Sequence, residues 1–214
     1  MYKTIKTFLE GNSEFRTIKF QENKKRFKEL IRDGQNPKAL FIGCSDSRFM
    51  PNLITGAKPG DLFIVRNIGN FVAPFKPDEE YHATASAIEY AVSVLEISDI
   101  IVCGHSHCGA IESLYKDIKK TPENTHTIKW LELGIPAKKM AQITHPHASH
   151  EELLRYTEKL SVIFGLENLL TYPAVKRGVE EKRVFLHAWY NNLANGTIEY
   201  YDDESLEFKL LGQE

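Results

Sequence analysis

Short β-prone apolar runs alternate with stretches of helical periodicity along most of this chain, and that alternation constrains its fold more than any other feature. The runs are Ala39 to Gly43, Leu62 to Val65, Ile100 to Cys103 and Arg183 to His187. Before the first of them, residues 16 to 32 repeat apolar positions at Ile18, Phe20, Phe27, Leu30 and Ile31 and stop at Asp33-Gly34, a helix-ending signal. Thr84 to Leu95 places Ile88, Ala91, Val92 and Leu95 on one stripe, and Ala110 to Lys119 reads as a further helix. Ser149-His150-Glu151-Glu152 has capping-box spacing and opens a helix that should run to about Leu170. Asn195-Gly196 is a hairpin signal between the fourth run and Thr197 to Tyr200. Strands alternating with helices predict an α/β fold, with a mostly parallel central sheet covered by helices on both faces. Four strands form that sheet and the hairpin adds an antiparallel edge strand. Residues 124 to 150 carry the weakest pattern, where Ile128, Leu131 and Ile135 support one short helix.

The chain's 214 residues suit one domain, residues 1–214, with a substantial core. Residues 1–34 lie outside the alternation and form an N-terminal helical arm, expected to pack on a partner subunit. Its lysines are interleaved with Phe8, Phe15, Phe20 and Phe27, an amphipathic pattern unlike a basic tail. A net charge of −2 gives no general attraction for nucleic acid or an acidic membrane. No apolar run approaches the roughly 20 residues of a membrane helix, and Met1 to Gly11 lacks the apolar stretch of a secretory signal. Three cysteines make no disulfide framework and fit a reducing, cytoplasmic location.

Two of the apolar runs end in Gly-rich turns dense in metal-ligating side chains. One reads Phe41-Ile42-Gly43-Cys44-Ser45-Asp46-Ser47-Arg48, the other Val102-Cys103-Gly104-His105-Ser106-His107-Cys108-Gly109. In an open parallel sheet, sites form in the crevice at the strands' carboxyl ends. Cys44, His105 and Cys108 would bring two thiolates and one imidazole together, a set that suits Zn²⁺ and leaves a fourth position for water, as in a catalytic site. His107 would have to reach the same ion from beside Cys108 in awkward geometry. Cys103 lies within an apolar run and reads as core. His145, His147 and His150 surround Pro146 without a thiol and read as a loop or surface face. Arg48 can hold the Asp46 carboxylate ionised through a fork of charge-assisted hydrogen bonds, and an ionised carboxylate beside zinc can orient the metal's water. Two other roles stay open for Asp46: a structural ion pair, or a fourth ligand that closes the site.

On these motifs the chain resembles the β-class carbonic anhydrases over nearly its whole length. The family pattern C-x-D-x-R followed by H-x-x-C is present as Cys44 to Arg48 and His105 to Cys108. Pro59-Gly60-Asp61-Leu62-Phe63, Arg66-Asn67-Ile68-Gly69-Asn70, Ile88-Glu89-Tyr90-Ala91-Val92, Glu167-Asn168-Leu169-Leu170 and His187-Ala188-Trp189-Tyr190 are similar to that family too. The resemblance implies zinc on Cys44, His105 and Cys108, with Asp46 and Arg48 as the catalytic pair. It implies reversible hydration of carbon dioxide to bicarbonate by zinc-bound hydroxide, in a homodimer or tetramer whose N-terminal helices embrace a neighbour. Gln35 falls where plant-like members carry a substrate-binding glutamine, and Phe63, Ile68 and Tyr90 match the apolar wall of the family's substrate pocket; on pattern alone Phe63 and Tyr90 would be ordinary core aromatics. Phe41 replaces the tryptophan of the family's inhibitory bicarbonate site, and Gly43 stands where plant enzymes commonly have alanine. Hydrolysis of carbonyl sulfide or carbon disulfide is the runner-up activity on the same ligands. A non-enzymatic, zinc-stabilised interaction domain is the alternative outside catalysis.

Overall fold

The computed structural model describes residues 3–78 and 80–212. Its centre is a six-stranded sheet of β1 (Ala39–Cys44), β2 (Leu62–Asn67), β3 (Asp99–His105), β4 (Phe185–Asn191), β5 (Ile198–Asp202) and β6 (Glu207–Leu210), in the order β2-β1-β3-β4-β5-β6. The first four strands in this order are parallel, and β5 and β6 run antiparallel. The central strands β1 and β3 are buried almost throughout, which is why both read as continuous apolar runs and not as alternating ones. Side chains alternate between faces along a strand. Leu40, Ile42, Ile100 and Val102 accordingly join one core cluster with Ile88, Val162 and Leu169, while Phe41, Ile101 and Cys103 join another with Phe49 and Trp189.

The helices are α1 (Lys3–Thr17), α2 (Lys19–Asp33), α3 (Pro51–Thr55), α4 (Ala83–Ser93), α5 (Gly109–Leu114), α6 (Thr125–Leu131), α7 (Ile135–Thr144), α8 (His150–Leu169) and α9 (Pro173–Glu180). The capping box at the start of α8 forms as the spacing predicts, with the Glu152 N–H donating to Ser149 Oγ and the Ser149 N–H donating to Glu152. Neither α1 nor α2 buries a residue. The two helices share the aromatic cluster of Phe15, Phe20 and Phe27. Arg26 ties α2 to the body by donating to the Pro59 carbonyl and pairing with Asp61.

Several expectations are corrected. The sheet has six strands, not five: β6 is short, and its alternation of Glu207 and Lys209 with Phe208 and Leu210 suits an exposed edge. Strand β4 continues to Asn191, past His187, because its register runs on until Asn191 lies opposite His105. The helix expected from Ala110 to Lys119 ends at Leu114, where the Tyr115 N–H turns back to Glu112. Residues 124 to 150 hold two helices, α6 and α7, joined by a 3₁₀ turn at Glu132–Gly134, where one was expected. Among the described residues, no helix is long and apolar enough to cross a membrane.

Candidate metal centre

The connection after β1 leads to β2 on one side, and the connection after β3 leads to β4 on the other. The crevice of such a sheet opens at the carboxyl ends of the two strands flanking this switch point. Cys44 is the last residue of β1 and His105 the last of β3. Cys108 caps α5 after a tight turn in which His107 adopts a left-handed backbone, φ +58°, a conformation that costs a residue with a Cβ about 1–2 kcal/mol. Two glycines let the Phe49 ring and helix α8 pack close against the strand ends. A Cβ on Gly43 would lie 2.6 Å from Phe49 Cε1, and one on Gly104 would lie 2.7 Å from Val162 Cγ2. At Gly43, the Phe49 ring occupies the space an alanine methyl would need.

The ligand atoms of Cys44, His105 and Cys108 all lie within 4.8 Å of one another, and all three residues are buried. The two sulfurs are 4.0 Å apart. His105 Nδ1 donates to the Ser106 carbonyl at 2.9 Å, which fixes the tautomer and leaves the Nε2 lone pair free. Nε2 is buried and has no hydrogen-bond partner. The Phe49 ring stacks on the imidazole, with centroids 5.4 Å apart. An orphaned buried imidazole nitrogen facing two thiols fits a thiophilic divalent metal. A hydrogen bond from Cys108 lowers the pKa of the Cys44 thiol, while the neighbouring Cys44 thiolate and burial push Cys108 up. Two adjacent thiolates in a buried site repel, so one of the pair keeps its proton until a cation arrives. Burial pushes His105 down, but the Cys44 thiolate, the Ser106 carbonyl and the Asp46 carboxylate together outweigh it and the net shift is upward.

Asp46 lies outside this group of ligand atoms. Arg48 engages both its oxygens, Nε donating to Oδ1 at 2.9 Å and Nη2 to Oδ2 at 2.7 Å, and the Arg48 N–H also donates to Oδ1 at 3.0 Å. These bonds hold the Asp46 carboxyl well below the usual carboxylate range, against the opposing effect of burial. Arg48 Nη2 also donates to the His107 carbonyl at 2.9 Å, linking the two turns. Arg66 braces the first turn by donating to the carbonyls of Cys44, Asp46 and Phe49 at 2.9, 2.7 and 2.7 Å.

The proposed substrate wall is only partly beside this centre. Ile68 follows β2 directly and borders a cleft of about 770 Å³ with Ser45, Asn67 and Trp130. The Trp130 indole N–H donates to the Ile68 carbonyl at 2.7 Å. Phe63 and Tyr90 stack on each other at 5.9 Å, but Phe63 pairs in register with Leu40, four positions before Cys44. That separation is roughly 13 Å along the strand. Gln35 is exposed in the loop after α2. Cys103 is fully buried and His107 exposed, while His145, His147 and His150 join no metal-competent group among the described residues.

Sequence reasoning misses Glu158 of α8, whose buried carboxylate accepts the Cys108 N–H at 3.0 Å. Its signal is an acidic residue on the helix stripe that also carries Thr157, Ser161, Val162 and Gly165, where a surface carboxylate does not belong.

Known proteins share both the sequence and this architecture. The carbonic anhydrase family model matches residues 39–198. A carbonic anhydrase of Pseudomonas aeruginosa is 36% identical over 209 residues, covering 98% of this chain and 93% of the relative. One from Synechocystis is 35% identical, covering 92% of this chain and 71% of its own. Among solved structures, the β-carbonic anhydrase CcaA superimposes with a TM-score of 0.88 at 32% identity, covering 99% of this chain and 94% of that one. CafA of Aspergillus fumigatus gives 0.82 at 26% identity, covering 94% and 91%. The motifs, the family match and a superposition over nearly the whole chain agree, and the chain belongs to the β class of the carbonic anhydrase family of enzymes.

Proposed function

We propose that this chain catalyses the reversible hydration of CO₂ to bicarbonate and a proton, with Zn²⁺ held by Cys44, His105 and Cys108. The observation that carries this reading is the unpartnered, buried His105 Nε2 within 4.8 Å of two thiols, beside a carboxylate already tied down by Arg48. Zinc bound there would supply Lewis-acid activation of a water as nucleophile, lowering its pKa toward about 7, less far with two thiolate ligands than with three imidazoles. Asp46 stays ionised through its bonds to Arg48 and serves as the fixed acceptor that orients the nucleophile's proton. In this reading the bonds to Arg48 draw Asp46 to the side of the three-residue ligand group, to which it does not belong. This favours an open catalytic site over a closed structural one. Ile68 and Trp130 line an apolar approach suited to a small, weakly polar substrate.

Gln35, Phe63 and Tyr90 serve the pocket in this reading from a second copy of the chain, because Phe63 lies too far down the sheet to reach its own metal group. Supporting such an assembly, the arm leaves Phe8, Leu9 and Ile31 exposed, and similar solved structures include tetrameric β-carbonic anhydrases from Sordaria macrospora, with a TM-score of 0.76, 29% identity and coverage of 99% of this chain and 98% of that one. Competing-substrate kinetics on one zinc-loaded preparation tests the substrate. The expected result is a kcat/KM for CO₂ above those for carbonyl sulfide and carbon disulfide, and the reverse order would overturn the assignment.

A further inference from the structure

Glu158 has no part in the chemistry above, yet it is the only buried carboxylate among the described residues. Burial of a carboxylate is unfavourable unless it is paired and hydrogen-bonded, and a leucine or methionine would pack at this place on α8 without that cost. Every bond Glu158 makes points to one purpose. Oε1 accepts the Cys108 N–H at 3.0 Å and Arg155 Nη2 at 2.7 Å, and Oε2 accepts the Tyr190 O–H at 2.8 Å. Arg155 comes from one turn earlier on α8 and Tyr190 from β4, so two elements fix the carboxylate before it meets the turn.

The Cys108 N–H is one end of a peptide unit whose other end is the His107 carbonyl. That carbonyl accepts Arg48 Nη2 at 2.9 Å. A single peptide plane is thereby held from both ends, by the Asp46–Arg48 pair on the outer side and by Glu158 on the core side. Its orientation sets the direction in which the Cys108 Cα–Cβ bond leaves the turn, and so where the sulfur lies. We propose that Glu158 is a positioning residue for the metal: by holding the Cys108 N–H it fixes the His107–Cys108 peptide plane and aims Cys108 Sγ at the point shared with Cys44 Sγ and His105 Nε2. Outer partners that orient a ligand typically contribute 10- to 100-fold in metal affinity. The inference rests on reading the three residues as a zinc site.

Two variants separate reach from charge. Glu158→Asp keeps the charge but draws the acceptor back from Cys108 by one methylene. Glu158→Gln loses the charge but keeps a carbonyl oxygen for Cys108 and Arg155, with its amide able to donate to the Tyr190 oxygen. The readouts are the rate of zinc release to an excess of chelator and the thiolate-to-metal absorption of the cobalt-loaded protein, with thermal denaturation of the metal-free proteins to check folding. The expected result is zinc release at least tenfold faster for Glu158→Asp, with altered cobalt absorption, and release within about threefold of wild type for Glu158→Gln. Release from Glu158→Asp at the wild-type rate, or equally fast release from both variants, would overturn the inference. A merely structural role would lower both metal-free melting temperatures and leave zinc release unchanged. Wild-type protein that retains no zinc would instead overturn the metal site, and this inference with it.

Discussion

Replacing Asp46 with asparagine should separate catalysis from folding and from metal retention. Asparagine keeps one oxygen for the Arg48 N–H and Nε, but places an amide NH₂ where Oδ2 now accepts Nη2 at 2.7 Å. The lost bond is charge-assisted and worth at most about 1.5–3 kcal/mol. Because the Arg48 side chain is 56% exposed, water replaces much of it, and the cost falls toward the ~1 kcal/mol of a surface ion pair. That corresponds to a fall of about 2–4 °C in Tm for a chain of this size. The loss of an ionised acceptor is far larger in catalysis, where proton handling contributes at least ~10²-fold. Turnover should therefore drop about 100-fold while zinc stays bound. The pH dependence follows from the direction of the shift. Arg48 lowers the folded-state pKa of Asp46 below its unfolded value, so the stabilisation is fully present above about pH 4 and is lost as pH falls through the folded value. The Tm difference between wild type and variant should therefore be constant from pH 6 to 9, and Asp46 should contribute no limb to the pH–rate profile there. Stopped-flow hydration with a pH indicator, alongside elemental analysis, measures both quantities. Turnover within threefold of wild type with zinc retained would refute the role given to Asp46, and zinc lost in step with turnover would make Asp46 part of the metal's hold.

Cys103→Ser should retain zinc while losing about 1–3 kcal/mol of stability, because a hydroxyl replaces a thiol in a fully buried position; elemental analysis and denaturant titration read the two separately. Gly43→Ala should cost about 1–3 kcal/mol through overpacking against Phe49 and Phe41, and since Phe49 stacks on His105 it should also speed zinc release to a chelator. Asp61→Asn should loosen the attachment of α2, since Asp61 accepts the Lys58 N–H at 2.9 Å and pairs with Lys38 and Arg26. These contacts lower its carboxyl pKa, so the loss in Tm, from about 1 kcal/mol, should be full at pH 7 and close as pH falls below about 4; melting curves across that range provide the check.

The two central strands are legible because a strand buried on both faces needs an unbroken apolar run, and the flanking strands β2 and β4 carry β-prone runs of their own although they are only partly buried. The ligand set is legible for a related reason: thiols and an imidazole beside glycines at the ends of those runs have few structural uses. Strand β6 is hidden because an exposed edge tolerates Glu207 and Lys209. Helices α6 and α7 are hidden because they meet through a 3₁₀ turn that breaks the 3.6-residue period. Glu158 is the instructive miss. Its identity alone suggests a solvated helix face, and its role depends on a peptide bond 50 residues away that only the folded chain brings within reach. Phe63 and Tyr90 differ again: resemblance singles them out, but the register puts Phe63, with Tyr90 stacked on it, opposite Leu40 and four positions short of Cys44.

The most direct measurement is stopped-flow hydration of CO₂ by zinc-loaded protein between pH 7 and 9, run beside Cys108→Ala with metal content determined on the same samples. The expected result is hydration far above buffer in the wild type, with zinc and activity lost together in the variant. Zinc-loaded wild type with no activity above buffer across that range would contradict the proposed function, and a Cys108→Ala protein that keeps its full zinc would contradict the ligand set.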